Sequence, residues 1–204
     1  MNVRGCELRD LPSVIPLHEQ AFAGQLGVAV GRRYLRALVS WFLTAPDAVS
    51  LVAEADGQIA GYVFGAPDGF SASLTRRLLP QIAIGVATHL PAVVRHPSFR
   101  WQLRSRFTNL FLRREPRRAI FETTPPGCFA LVGIGTSPAM RGRGVGRALV
   151  EGFCARVPGR QVILDVFRDN APALSLYERC GFRRIAEEGR VVRMLREPSA
   201  AQAH

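Results

Sequence analysis

Lysine is absent from the 204-residue sequence, so all 27 of its basic residues are arginine. No Gly-Lys-Ser/Thr can follow a glycine-rich turn, which excludes the Walker A way of holding a nucleoside triphosphate. Cysteine is scarce. Cys6, Cys128, Cys154 and Cys180 stand far apart without a C-x-x-C spacing, which argues against a zinc site and a disulfide framework, and no metal is expected. A long apolar run is also missing. The most apolar stretch, Leu78 to Val94, is broken by Pro80, Gln81, His89 and Pro91, whereas a spanning helix needs about 20 apolar residues. Met1 to Asp10 carries charges and no apolar core, so it does not read as a signal peptide. The expectation is a cytoplasmic protein with reduced, mostly buried thiols. Acidic residues number only 16, leaving a formal net charge of +11. That balance favours anionic partners: phosphates, nucleic acid or an anionic membrane.

What is present suits one domain, residues 1–204, and an apolar share of 48% is enough for a sizeable core. Val3 to Leu8 reads as a first strand. Asp10 is placed to cap a helix that ends before Gly24, and Gly31 to Thr44 is a second helix with Tyr34, Leu35, Leu38, Val39 and Phe42 at helical spacing. Ser50 to Ala55 and Gln58 to Gly65 flank Asp56-Gly57. That pair signals a hairpin, because a type I′ turn needs positive φ at both central residues. Later come strands at Phe129 to Ile134 and Gln161 to Phe167, helices from about Gly144 to Arg156 and from Asp169 or Asn170 to Arg179, and a last hairpin around Glu188-Gly189.

The chemistry is concentrated after Phe129. An apolar strand runs into Ser137-Pro138-Ala-Met-Arg141-Gly142-Arg143-Gly144-Val145-Gly146-Arg147, and a helix follows. Such a turn presents unpaired N–H groups at a helix N-terminus, where they and the helix dipole favour a phosphate. Gly142, Gly144 and Gly146 keep side chains out of its way. The G-x-G-x-x-G template of dinucleotide sites is not met.

Arg141-Gly-Arg-Gly144-Val-Gly146 resembles the Q/R-x-x-G-x-G/A signature of the GNAT superfamily of acyl-CoA-dependent N-acyltransferases. Asn170-Ala-Pro-Ala173-Leu-Ser-Leu176-Tyr177-Glu-Arg-Cys-Gly181-Phe182 is similar to that family's second motif, N-x-x-A-x-x-L-Y-x-x-x-G-F. The two motifs cover the last third of the chain in the family's order. The resemblance implies an α/β GNAT fold: a mixed, mostly antiparallel sheet splayed at the cofactor strand. It implies acetyl-CoA as cosubstrate, with pantetheine between the splayed strands beside Ile134, Gly135 and Thr136. The turn Arg141, Gly142, Arg143, Gly144, Val145, Gly146, Arg147 would take the pyrophosphate. Asn170 and Ala173 would help place the pantetheine arm, and Tyr177 would sit near the thioester sulfur. The implied reaction is direct transfer of acetyl to a primary amine, with Tyr177 protonating the leaving thiolate and the Ile134 N–H polarising the carbonyl. A phenol suits that task because it keeps its proton at neutral pH.

The base is not evident. Many relatives place a Glu early in the cofactor strand, but Thr123 to Phe129 has no carboxylate. Glu122, Glu54 and a water chain remain as candidates. Cys128 reads as packing and Asp165 as a paired carboxylate. His18, His89 and His96 form no triad or ligand pattern and read as structural or exposed. Phe70 to Arg118 holds ten Arg against one acid, Glu115, and reads as a basic helical insertion at about 70–118. Within it Trp101, Leu103, Phe107, Leu110 and Phe111 alternate with Arg100, Arg104, Arg106, Arg113 and Arg114. The segment would cap the acceptor cleft, or meet an anionic membrane, an anionic acceptor or a second copy. Nucleic acid lacks a recognisable reading motif. The acceptor expected is a small-molecule amine. The rival readings are a non-catalytic acyl-CoA-binding regulatory module and a peripheral membrane-associated acyltransferase.

Overall fold

A computed structural model describes residues 1–88 and 126–198, with the backbone alone at residue 26. In chain order the elements are β1 (Asn2–Gly5), a 3-10 turn, α1 (Leu11–Ala21), α2 (Leu26–Val30), α3 (Arg32–Thr44), β2 (Val49–Ala55), β3 (Gln58–Pro67) and α4 (Phe70–Thr88). After residues 89–125 come β4 (Phe129–Thr136), a second 3-10 turn, α5 (Val145–Ala155), β5 (Val162–Phe167), α6 (Ala171–Arg179), β6 (Arg183–Glu188) and β7 (Val191–Arg196). The first part of the expected insertion is therefore helix α4. Its remainder, with His89, His96, Trp101 and the later arginines, and also Glu122, lies outside the described residues.

Local chemistry explains most of these elements. In α3, Leu35, Val39 and Phe42 recur at spacings of four and three and are almost wholly buried. Each contributes about 1.5–3 kcal/mol of burial. Asp56 and Gly57 have φ of 52° and 73°, as the hairpin turn between β2 and β3 requires. Strand β1 is shorter than Val3 to Leu8. The reason is Asp10, whose carboxylate accepts the Glu7 N–H at 2.8 Å and two Arg4 guanidinium nitrogens at 2.7 and 2.9 Å. This carboxylate turns the chain out of the strand, and it makes no hydrogen bond to the first turn of α1, contrary to the expected cap.

The strands form one sheet in the order β1-β2-β3-β4-β5-β7-β6. All neighbours are antiparallel except β4 and β5. One face carries α5 and α6 over a core that includes Leu51, Val63, Leu149, Phe153, Leu164 and Met194. The other carries α1 and α3 over Val14, Leu35, Phe42, Tyr62 and Phe64. The expected GNAT architecture is present, including the splay: β4 and β5 share only the pairs Phe129–Val162 and Ala130–Ile163. Beyond them β4 stays on β3 as far as Thr136, and β5 stays on β7 as far as Phe167.

A bulge in β4 sets which atoms line this gap. Gly65 pairs with Leu131 and Phe64 with Gly133, so Val132 is left over. One extra residue reverses the alternation of a strand. Leu131 packs in the core under α5, whereas Val132 packs on the α1 side, and the missing side chain of Gly133 would point at Phe64 on that same side.

Candidate active site at the splayed strands

Ser137 donates its N–H to the Ala60 carbonyl on β3 at 2.8 Å. Counting back along the strand, Gly135 and Gly133 also turn their backbone groups to β3. Ile134 and Thr136 therefore present theirs on the opposite edge, where β5 has diverged. Backbone donors and acceptors so placed need a partner from outside the sheet. Gly135 contributes by lacking a side chain. A Cβ there would lie 2.6 Å from Tyr62 Cε1 and 3.0 Å from its hydroxyl.

The glycine-rich turn lies at the end of the same strand. Gly142 and Gly144 have φ of 77° and 78°, and a Cβ added at either would meet nothing within 4 Å. Gly144 caps α5, whose first ladder bond runs from Ala148 N–H to the Gly144 carbonyl at 3.0 Å. The N–H groups of Val145, Gly146 and Arg147 precede that bond at the positive end of the helix dipole. This cradle fits a pyrophosphate. Gly146 has a packing role as well: its Cβ would stand 3.0 Å from Leu176 Cδ2, so its small size lets α6 pack against α5. Val145 is buried beneath the turn. Arg141, Arg143 and Arg147 are exposed. Arg147 bonds Glu151 at 2.7 Å and Arg143 approaches Asp56 at 3.5 Å.

Helix α6 carries Tyr177 into the core on the α5 face of the sheet. Asn170 caps it, accepting the Ala173 N–H at 3.3 Å. Asn170 itself is exposed, and Pro172 falls in the first turn, where its missing N–H costs nothing. Tyr177 is 5% exposed and packs beside Phe182, with ring centroids 5.7 Å apart. Burial raises its pKa well above that of an ordinary phenol, helped by the nearby Cys180. Among the described residues its hydroxyl has no hydrogen-bond partner.

Of the two carboxylates weighed as bases, Glu122 lies outside the described residues and Glu54 is committed elsewhere, as is Asp165. Glu54 holds Arg4 at 2.9 Å on β2, with β3 between it and the gap. Asp165 receives Arg193 at 3.0 and 3.2 Å. Its pKa is raised because burial outweighs that partner. The Cys128 thiol donates to Gln161 Oε1 at 3.3 Å, and burial raises its pKa too, which suits packing better than nucleophilic attack. Among the described residues no cluster of metal-ligating side chains occurs.

His18, expected to be structural or exposed, is structural. It is 6% exposed, stacks on Phe22 and Phe64, and its Nδ1 lies 2.7 Å from the Tyr62 hydroxyl. Burial lowers its pKa to about 4, against a weaker raising effect of Glu19, so the ring is neutral at neutral pH. Helical spacing carried the signal: Leu11, Val14, Ile15 and His18 fall on one face of α1, and all four are buried.

Residues 15–182 match the model of the Acetyltransferase (GNAT) family. The chain belongs to that family. GNAT members use acetyl-CoA as cosubstrate. The chain is 39% identical over 71 residues to the N-alpha-acetyltransferase RimI of Mycobacterium tuberculosis, a match covering 35% of this chain and 45% of that protein. The chain spans less than half the length of the curated relatives it matches. Its fold is similar to the ribosomal-protein-S18-alanine N-acetyltransferase of Escherichia coli, with a TM-score of 0.58 and 15% identity over 99% of this chain and 96% of the other. It is also similar to the PaiA N-acetyltransferase of Thermoplasma acidophilum in complex with coenzyme A, with a TM-score of 0.55 and 13% identity over 96% and 98%. At these identities the two structures show a shared GNAT fold.

Proposed function

We propose that this chain transfers acetyl from acetyl-CoA to a primary amine by direct attack, in the cytoplasm. The observation that carries the reading is the gap itself. It exposes the backbone groups of Ile134 and Thr136 on one side, and in this reading α6 brings the hydroxyl of Tyr177 to it. In this reading Ile134 and Thr136 pair with the amides of pantetheine. Gly142, Gly144 and the N–H groups of Val145, Gly146 and Arg147 hold the pyrophosphate, with Arg141 and Arg143 adding charge. The Asn170 amide nitrogen and the Ala173 turn steady the arm. The amine forms its N–C bond as the C–S bond breaks, the electron pair passes to sulfur, and Tyr177 protonates it. The Ile134 N–H polarises the carbonyl as charge develops on it.

The acceptor is the finer part of the proposal. The M. tuberculosis relative is named as an N-alpha-acetyltransferase. This supports the N-terminal amine of a polypeptide over the free small molecule that the sequence alone suggests. The excess of arginine supports an acceptor that carries negative charge. Thiol release from acetyl-CoA, followed with peptides bearing free N-termini and with small amines, tests both parts. Turnover with peptides alone supports the polypeptide acceptor, and turnover with small amines alone overturns it. Binding of acetyl-CoA without turnover on any amine would leave a non-catalytic acyl-CoA-binding module.

A further inference from the structure

Helices α3 and α4 lie side by side and run antiparallel. Gly85 of α4 sits against Val30 just before α3, where a Cβ would lie 2.4 Å from Val30 Cγ1. Arg33 donates to Gln81 Oε1 at 2.9 Å, and Trp41 meets Phe70 with ring centroids 6.1 Å apart. This register sets Arg36 close to the level of Arg77. Neither helix contains an acidic residue, and Arg33, Arg36, Arg76 and Arg77 are all exposed. Of the ion pairs among the described residues, only that of Arg32 with Glu19 involves this layer. The outward stripe of α4 is not polar either. Ala72, Arg76, Leu79 and Ala83 follow one another at spacings of four, three and four, with Pro80 and Ile84 beside them, and all six are exposed. Leu79 is 56% exposed and Ile84 38%. Phe70, Leu78 and Gly85 are buried on the opposite side. A surface helix ordinarily turns polar groups outward, whereas α4 is apolar on both sides and cationic on the outer one.

We propose that this face docks on an anionic lipid bilayer, with Arg33, Arg36, Arg76 and Arg77 at the headgroup phosphates and Leu79 and Ile84 among the upper acyl chains. A bilayer surface offers negative charge outside and apolar matter a few ångströms within, which is the pairing that this face lacks. The aliphatic stems of Arg76 and Arg77 let their guanidinium groups reach the phosphates while the helix lies lower. The charge balance agrees, since the chain has no acidic residue between Asp68 and Glu115. Helix α4 lies on the bilayer and does not cross it. Among the described residues no helix is long and apolar enough to span one, and the inner side of α4 is occupied by α3. A nucleic acid would meet the arginines equally well. It would gain nothing from Leu79 and Ile84, and the outer stripe of α4 has no aromatic ring on which a base could stack. Docking needs neither cofactor nor acceptor, so it holds or fails apart from acetyl transfer.

Sedimentation of the full chain with vesicles tests the surface. Vesicles of phosphatidylglycerol and phosphatidylcholine should carry the protein down at low salt, and vesicles of phosphatidylcholine alone should not. Binding should weaken as salt rises, because screening shortens the reach of the arginines. Arg76→Gln combined with Arg77→Gln should weaken it by about 30-fold, roughly fivefold for each charge. Leu79→Ser combined with Ile84→Ser should weaken it by on the order of tenfold. All four positions are exposed, so unchanged thermal midpoints should report that both variants fold. Protein that stays in solution beside anionic vesicles overturns the docking. Sedimentation that neither pair of substitutions alters also overturns it, since the lipid contact would then lie elsewhere in the chain. If only the arginine pair matters, and a duplex RNA strips the protein from the vesicles, the face is a polyanion surface and the bilayer assignment fails. A wild type that is dimeric without vesicles, and that Leu79→Ser with Ile84→Ser makes monomeric, gives the face to a second copy instead.

Discussion

Tyr177 is almost wholly buried, yet its hydroxyl is not a buried orphan, since among the described residues only Arg196 Nη1 is both buried and without a partner. Phenylalanine would fill the same space beside Phe182, so the fold should change little. Catalysis should suffer, because loss of a general acid typically costs about 10²–10⁴-fold. Tyr177→Phe is therefore expected to keep its thermal midpoint and its acetyl-CoA affinity by calorimetry, and to lose kcat within that range. A Phe variant with full activity would mean that another group protonates the thiolate. Residues in the two C-terminal motifs were legible in the sequence because their neighbours in the chain are also their neighbours in space. The contact of His18 with Tyr62 was not, because the two stand 44 residues apart and only the fold brings them together.

Among the elements, the turn before α5 invites the most direct test. Gly144 sits at φ 78° with open space where a Cβ would go. Alanine and glutamate there both incur the left-handed penalty of about 1–2 kcal/mol. Only glutamate adds a carboxylate to a cradle of N–H groups. Calorimetry should show Gly144→Glu binding acetyl-CoA at least about tenfold more weakly than Gly144→Ala, a difference of ~1.4 kcal/mol. Equal affinities would remove the pyrophosphate from this turn. The hairpin at Asp56-Gly57 could be read in advance, since its turn chemistry is local. The short helix α2 could not, as its five residues carry no periodic pattern. The bulge at Val132 is equally silent in an apolar run. It exists because β3 and β4 must pair on both sides of it, and that pairing is not written in either strand alone.

The whole molecule feels the titration of its buried groups. His18 has a folded pKa of about 4 against 6.5 for an ordinary imidazole. Between those values the unfolded chain holds a proton that the folded chain refuses, so stability falls as pH falls. The contribution is complete above about pH 6.5 and largely gone by pH 4, a loss of up to about 3 kcal/mol. Urea midpoints measured across that window should slope in the wild type and flatten in His18→Leu. Asp10, held below the usual carboxylate range by Arg4, loses its contribution only at lower pH and leaves this window clear. A slope unchanged by the substitution would assign the acid sensitivity elsewhere.

The sheet is two half-sheets, of four strands and of three, sewn together at two residue pairs. The α5 face reinforces this seam with a core drawn from both halves, whereas on the α1 face Ile163 and Leu195 are the buried residues that cross it. In deuterated buffer the consequence would be a fast-labelling spot within a slow protein. The amides of Ile134 and Thr136 point into the seam and have no strand to protect them. A thioester ligand lying there would serve as the missing length of strand, and those two amides would slow together on its arrival.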